Sequence, residues 1–208
     1  MKEALEALLH NPGVWRGRSG RAVPAQSSGF AWLDASLPGG GWPLGALSEI
    51  VLDCYGLGEL RLLLPALRQR VQEGGEQGWL VWIAPPFTPY APALSDADID
   101  LSRILVVHAP SASDGLWAAE QALRSGQCAA VLLWADRVPV PSQRRLQLAA
   151  ESSSCMVILF RPARALGEHS VAALRMHLSS SGQGLRIHIL KNRGGQPMVL
   201  DKPDFPSP

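Results

Sequence analysis

The sequence predicts an α/β domain: a mostly parallel sheet flanked by helices, with an antiparallel hairpin at its C-terminal edge. Three observations predict this class: continuous apolar runs of strand length, segments of helical spacing between them, and two alternating runs near the C-terminus. The chain has 208 residues, of which 47% are hydrophobic and 18% charged, and this is enough for one substantial core.

Five continuous apolar runs predict the strands of the parallel sheet. Their residues are mostly apolar instead of alternating with polar ones, so we expect both faces of each strand to be buried, as in a sheet covered by helices. The runs span residues 48–53, 79–84, 104–108, 129–134 and 156–160.

Helices are predicted between these strands. Residues 59–72 carry apolar side chains at helical spacing, and residues 114–124 and 142–151 also read as helices. Asp114 is the expected N-cap of the second helix, because its carboxylate can accept a backbone N–H of the first turn.

Two runs near the C-terminus have a different pattern. In residues 174–178 and 185–190 apolar side chains alternate with polar ones, and a link rich in serine and glycine joins the two runs. This pattern is typical of two antiparallel strands with one buried face, and it predicts a hairpin at the edge of the sheet.

The chain divides into three parts. Residues 1–25 are predicted to form an N-terminal helix and a linker, with Leu5 and Leu8 on one face of the helix. Residues 26–196 form the core domain. The proline-rich residues 197–208 are expected to be a flexible tail.

Composition and charge exclude several classes of function. A net charge of +1 gives no global electrostatic reason to bind nucleic acid or a membrane surface, although the cluster of Arg16, Arg18 and Arg21 leaves a local contact with DNA open. The acidic N-terminus does not resemble a signal peptide, and no segment approaches the roughly 20 apolar residues of a membrane span, so we expect a cytoplasmic protein. The three cysteines and five histidines show no metal-ligand spacing, so no metal site is expected.

The turn after the first strand lies where an α/β domain binds phosphate. A working phosphate loop needs a lysine for the phosphates and a serine or threonine for magnesium. Here the turn contains Gly56 and Gly58, the lysine position falls on Gly58 or Glu59, and the hydroxyl position falls on Glu59 or Leu60. The sequence therefore predicts a degenerate phosphate loop, with no ATPase activity, no catalytic residue and no cofactor.

Asp136 follows the strand at 129–134, where a nucleotide-binding domain has the acid that orients magnesium. The alternative is an ordinary acidic residue at the end of a strand. Because the turn lacks its lysine and its hydroxyl, the alternative is favoured, and Asp136 is interpreted as a degenerate magnesium-site acid.

Several stretches resemble the RecA family. They are SGFAWLDASL at 28–37, GGGWPLG at 39–45, LSEI at 47–50 and AAVLLWAD at 129–136. This resemblance covers roughly residues 26–195 and implies a RecA-like core. The catalytic glutamate of that family would fall at 84–86, where the sequence has Ala-Pro-Pro and no acid.

A second set of stretches resembles the ImuA family of RecA-related proteins. They are VWRG at 14–17, GLGELRLLLPAL at 56–67 and LKNRGG at 190–195. This resemblance implies a nucleoid-associated accessory protein of SOS-induced translesion DNA synthesis. Its partners would be an ImuB-type inactive Y-family polymerase homologue, RecA and an error-prone C-family DNA polymerase. The related SulA family implies the alternative of a cell division inhibitor that binds FtsZ, and a divergent ATPase is a third possibility.

Two groups of residues are candidates for partner binding. Lys191, Asn192 and Arg193 follow the last alternating strand, and in RecA-like filaments the matching segment reaches the ATP of the neighbouring protomer. The second group is on the N-terminal segment, where the equivalent helix of RecA-like filaments packs on the adjacent protomer. It consists of Leu5, Leu8, Trp15 and Arg16.

Overall fold

The computed structural model describes residues 24–75, 78–181 and 184–202. The predicted N-terminal helix, with the candidate residues Leu5, Leu8, Trp15 and Arg16, lies outside the described residues, as does the end of the predicted tail, residues 203–208.

Strands and helices alternate through most of the described chain. Single 3-10 turns lie at Pro38–Gly40, Leu101–Arg103 and Ala163–Gly167. The elements are, in chain order, β1 (Ala25–Gln26), α1 (Ala31–Asp34), β2 (Trp42–Pro43), β3 (Ala46–Leu52), α2 (Leu64–Gly74), β4 (Trp79–Ile83), α3 (Ala91–Asp96), β5 (Ile104–Val107), α4 (Ala112–Arg124), β6 (Cys128–Trp134), α5 (Val140–Glu151), β7 (Met156–Pro162), β8 (Leu174–Ser181), β9 (Gly184–Asn192) and β10 (Met198–Lys202).

Eight of these strands form one sheet, in the order β10-β9-β8-β3-β7-β6-β4-β5. The six strands from β8 to β5 pair in parallel, whereas β8 with β9 and β9 with β10 pair antiparallel. The predicted α/β fold, with a mostly parallel sheet and an antiparallel hairpin toward the C-terminal edge, is confirmed. The short strands β1 and β2 form a separate antiparallel pair.

The sheet separates two apolar cores. On one face, α2 buries Leu67 against strand residues that include Trp82 and Phe160. Trp134 is stacked on Phe160, with ring centroids 4.7 Å apart. On the other face, α4 and α5 bury leucines and alanines against β3, β4, β6 and β7. The continuous apolar runs of the sequence are explained by this burial on both sides.

All three predicted helices begin at residues other than those predicted, and α5, predicted over 142–151, begins at Val140. The helix predicted over 59–72 is α2, which begins at Leu64, because residues 56–63 form turns with positive φ at Gly56 and Gly58. Helix α4 begins before Asp114, since the side chain of Ser111 accepts the Asp114 N–H and is the N-cap. Asp114 instead accepts the Ser111 hydroxyl through its carboxylate.

Part of the predicted flexible tail is a strand. Met198–Lys202 pairs antiparallel with β9, with Leu200 opposite Ile187 and Asp201 opposite Arg186. The Arg186 Nε donates to the Asp201 carboxylate at 2.6 Å across this pair. The prolines at both ends of the segment favour a loop prediction, but they lie outside the five residues that pair, so no backbone N–H of the ladder is lost.

A glycine at the end of the Gly39–Gly41 run permits close contact between two backbone segments. Gly41 has an extended backbone, and a Cβ built there would lie 2.0 Å from the carbonyl oxygen of Gln26. Trp42, its neighbour, pairs with Gln26 in the β1–β2 ladder and is fully buried.

Gly41→Ala is therefore expected to lower the free energy of unfolding by about 1–3 kcal/mol, the usual cost of overpacking. Urea titration followed by circular dichroism measures this change. Gly167→Ala is the matched control, because a Cβ at Gly167 meets no atom within 4 Å. Equal stability of the two variants would contradict the close contact.

Candidate functional site: the carboxyl edge of the sheet

The turn after β3 is closed by one of its own side chains. Gly56 and Gly58 both have positive φ, and the Gly56 N–H donates to Oε1 of Glu59 at 3.0 Å. Glu59 is buried, and its second carboxylate oxygen has no hydrogen-bond partner among the described residues. A backbone N–H of the kind that cradles phosphate in α/β domains is thus bonded to the protein's own anion.

The leucines that follow this turn pack in the apolar core. Leu60 packs against the apolar core beneath α2, and Leu62 and Leu63 are completely buried there. The position at which a phosphate loop has a hydroxyl for magnesium is occupied by Glu59 or Leu60, and neither side chain supplies one.

Asp136 lies at the same edge of the sheet and is already paired. Its carboxylate forms an ion pair with Arg164, and its main-chain oxygen accepts from Nη2 of Arg161 at 2.8 Å. Both the carboxylate and the main-chain oxygen of Asp136 are thus bonded to arginines of the same protein.

A cluster of buried charged side chains lies beside Asp136, and its members were not among the predicted site residues. Glu49 on β3 and Arg161 on β7 are both completely buried, with Arg161 Nη1 3.4 Å from Glu49 Oε1. Arg175 on β8 places its Nε 2.9 Å from the other carboxylate oxygen of Glu49. The register of the sheet places Glu49 directly opposite Arg175, so the cluster is fixed by strand pairing.

The two arginines of this cluster also hold the segment after β7. Arg161 Nη2 donates to the Glu168 carboxylate at 2.7 Å, and Arg175 Nη2 donates to the main-chain oxygen of Ala165 at 2.6 Å. The hydrogen bond from Arg161 and its charge hold the pKa of Glu168 below its ordinary value. This contribution to stability is present at neutral pH and is lost as the pH falls through that lowered pKa.

The sequence contains one indication of this ion cluster, a charged residue inside a run that is predicted to be a buried strand. Glu49 interrupts the apolar run at 48–53, and a charge that is buried on a covered strand requires a partner of opposite sign. The sequence alone does not show that Arg161 and Arg175 supply it, because that contact depends on the strand order β8-β3-β7.

Lys191 and Arg193 lie at the end of β9, where both residues are exposed. The Lys191 Nζ donates to the main-chain oxygen of Ser170 at 3.1 Å. Partial burial lowers the pKa of Lys191, and the nearby charges of Arg193 and Arg175 lower it further. Lys191 and Arg193, the two candidate cations, therefore lie close enough for their charges to interact.

Asn192, between them, is directed inward. It is 8% exposed, and its Nδ2 donates to the main-chain oxygen of Ser36 at 3.2 Å. Asn192 therefore anchors the end of β9, and the outward surface of the predicted partner-binding segment consists of Lys191 and Arg193.

Within the described ranges 24–75, 78–181 and 184–202, no group of three or more histidine, cysteine, aspartate or glutamate residues is placed to hold a metal ion. In the same ranges no helix is both long and apolar enough to cross a bilayer.

Comparison with known proteins identifies the family. The model of the family described as "Cell division inhibitor SulA" matches residues 45–157, which is more than half of the chain. The chain belongs to the SulA family. The matched segment begins just before β3 and ends within β7, so it contains the closed turn, Asp136, α4 and α5.

Individual relatives extend this result. A cell division inhibitor SulA from Photorhabdus laumondii is 32% identical over 128 residues, covering 62% of this chain and 67% of the relative. A SulA from Edwardsiella piscicida is 30% identical over 103 residues, covering 50% and 60%. Protein ImuA from Caulobacter vibrioides is 28% identical over 200 residues, covering 84% and 81%. This member of the SulA family thus also has an ImuA homologue that matches it over most of both chains.

Replacement of Glu49 tests the buried cluster. Glu49→Gln removes the buried carboxylate that Arg161 and Arg175 share and leaves Glu168 as the remaining carboxylate partner of Arg161. The free energy of unfolding is therefore expected to fall by about 3 kcal/mol, the lower end of the cost of breaking a buried ion pair. Urea titration at neutral pH measures the change.

Asp98→Asn is the matched control, because Asp98 pairs with Arg68 at the surface, where the side chains are 67% and 47% exposed. Its cost is expected to stay below about 1 kcal/mol. A cost for Glu49→Gln as small as that of the control would show that the cluster does not hold the strands together.

Proposed function

We propose that this chain is a non-catalytic accessory protein of SOS-induced translesion DNA synthesis. The observation that carries the proposal is the ImuA match, which spans 84% of this chain and 81% of the relative, whereas the matches to SulA relatives cover between 50% and 69% of this chain. The longer match extends beyond the parallel core that the SulA model covers.

The closed turn supports the non-catalytic part of the proposal. The Glu59 carboxylate bonds to the Gly56 N–H, and a buried anion at this position opposes the approach of a triphosphate. The missing lysine and hydroxyl remove the groups that would hold the β and γ phosphates and magnesium. Neither catalysis nor a nucleotide cofactor is part of the proposed role.

The proposed partners are those that the ImuA resemblance implies: an ImuB-type inactive polymerase homologue, RecA and an error-prone C-family polymerase. In our proposal, Lys191 and Arg193 contact phosphate at the end of a RecA filament. The chain would then have the half of the interface that reaches a neighbour and lack the half that holds nucleotide. A one-directional contact cannot propagate a filament, so the chain would cap or tether there.

Cell division inhibition is the second candidate function, and it has its own supporting observation. The SulA model matches residues 45–157, and the Photorhabdus relative bears the name cell division inhibitor SulA. On this alternative the partner would be FtsZ, and the contact would lie within the matched segment.

Binding to purified partners discriminates between the candidates. The full chain is measured by biolayer interferometry against an ImuB homologue, ATP-bound RecA filaments and FtsZ, all from one bacterial source. We expect binding to ImuB or RecA and none to FtsZ. Lys191→Ala combined with Arg193→Ala is expected to weaken the RecA interaction at least tenfold, because two phosphate contacts are removed.

Arg68→Ala combined with Arg186→Ala is the matched control, since it also removes two exposed cations, each paired at the surface. Binding to FtsZ alone would replace the proposed function by the second candidate. RecA affinity that is unchanged in the Lys191 and Arg193 variant would contradict the filament contact even if ImuB still binds.

A further inference from the structure

Strand β9 contains a bulge close to its end. As far as Ile189, every second side chain of the strand is buried. In a regular strand, residue 191 would therefore also be directed into the core. However, Ile189 lies opposite Met176 of β8, whereas Lys191 lies opposite Arg175, so β9 has one extra residue between these two pairs. Such a bulge changes the direction of the side chains that follow it.

The bulge determines which side chains at the end of β9 are exposed. Lys191 and Arg193 are both exposed, and Asn192 between them is buried. If the strand were regular, Asn192 would instead be directed outward and Lys191 inward. The outward direction of the two cations, Lys191 and Arg193, therefore depends on the bulge and on the contacts that keep Asn192 inside.

Three hydrogen bonds hold the turn that follows the bulge. The Arg193 N–H donates to the main-chain oxygen of Ala173 at 2.9 Å, and the Gly195 N–H donates to that of Asn192 at 3.0 Å. The third bond runs from Nδ2 of Asn192 to the main-chain oxygen of Ser36 at 3.2 Å, and it joins the turn to the segment after α1. Among the described residues, Oδ1 of Asn192 has no partner, so one hydrogen bond holds this amide.

The residue beside this amide has to be a glycine. A Cβ built at Gly195 would lie 2.4 Å from Nδ2 of Asn192 and 2.9 Å from its Cγ. Gly195 is not one of the glycines with positive φ, so the close contact and not backbone strain requires a glycine here. An alanine at this position would displace the Asn192 amide from Ser36 without changing any charge.

We propose that Asn192 and Gly195 are positioning residues for the two cations at the end of β9. They keep Lys191 and Arg193 on one outward surface, where both side chains can contact the same anion. The proposal rests on the proposed contact of these cations with phosphate on a RecA filament. Two long side chains that are held in place before binding lose less conformational freedom when they bind.

The pKa of Lys191 reports whether the cations are held together. Partial burial lowers this pKa, and the nearby charges of Arg193 and Arg175 lower it further. Asn192→Ala and Gly195→Ala are each expected to raise it toward the ordinary value of a lysine, because the released turn separates Lys191 from these charges. NMR of the lysine side chains during an alkaline titration measures the pKa. The chain has only three lysines, so Lys191→Arg assigns the signal.

The affinity for ATP-bound RecA filaments is the second measurement. Asn192→Ala and Gly195→Ala are each expected to weaken binding about fivefold, the usual cost of immobilising a long side chain on binding. The double variant is expected to bind as weakly as each single variant, because the Cβ at position 195 then meets no amide. Two independent effects would instead multiply.

Matched controls separate this effect from a general loss of stability. Gln69→Ala also removes an amide, one that bonds to Glu73 at the surface. Gly167→Ala also adds a Cβ, at a position with no atom within 4 Å. Both controls are expected to leave the Lys191 pKa and the RecA affinity unchanged.

Two results would overturn the positioning role alone. The first is an unchanged Lys191 pKa in both Asn192→Ala and Gly195→Ala. The second is unchanged RecA affinity in both variants, with or without a loss of stability, while Lys191→Ala combined with Arg193→Ala weakens binding. If that charge variant also binds RecA normally, the proposed filament contact fails, and the positioning role fails with it.

Discussion

A completely buried ion pair between Glu49 and Arg161 determines the arrangement of the carboxyl edge of the sheet. The pair links β3 to β7, and the contact between Glu49 and Arg175 extends the cluster to β8. These buried charges therefore lie next to the strand at which the parallel sheet meets its antiparallel extension. Removing charges from water is costly unless their partners are correctly placed. Any other pairing of β7, β3 and β8 would leave a buried charge without its partner.

The same edge is where an α/β domain of this topology holds its ligand, and here its charged groups bind other parts of the protein. The Glu59 carboxylate accepts the Gly56 N–H, Asp136 pairs with Arg164, and Glu168 accepts from Arg161. Each of these three carboxylates thus has a partner within the protein, although the second oxygen of Glu59 has none among the described residues. In the proposed function, specificity comes from outer surfaces, among them the cations at the end of β9.

Much of the fold could be predicted from the sequence because burial on both faces leaves a strong pattern. The runs at 79–84 and 129–134 are continuous and apolar, and both form central strands. The hairpin could be predicted equally well, because apolar and polar side chains alternate along β8 and β9. The strand at Met198–Lys202 was missed, because the prolines around it predict a loop and its pairing depends on a neighbour that only the fold supplies.

The site was less predictable than the fold, because its contacts also join residues that only the folded chain brings together. The sequence shows that the turn lacks lysine and hydroxyl groups, but it does not show that Glu59 folds back onto Gly56. Glu49 in an apolar run signals a buried charge, yet its partners are 112 and 126 residues away and meet it only through the strand order. Asn192 illustrates the opposite case, because a residue predicted to face a partner is buried against Ser36.

We propose that the Glu59 carboxylate closes the turn between β3 and α2 to nucleotides. Isothermal titration calorimetry of the full chain with ATP and magnesium tests this closure directly. No saturable heat is expected at millimolar ATP, since the lysine and the hydroxyl are missing and the N–H of Gly56 is already bonded. Magnesium-dependent binding of ATP with micromolar affinity would contradict it.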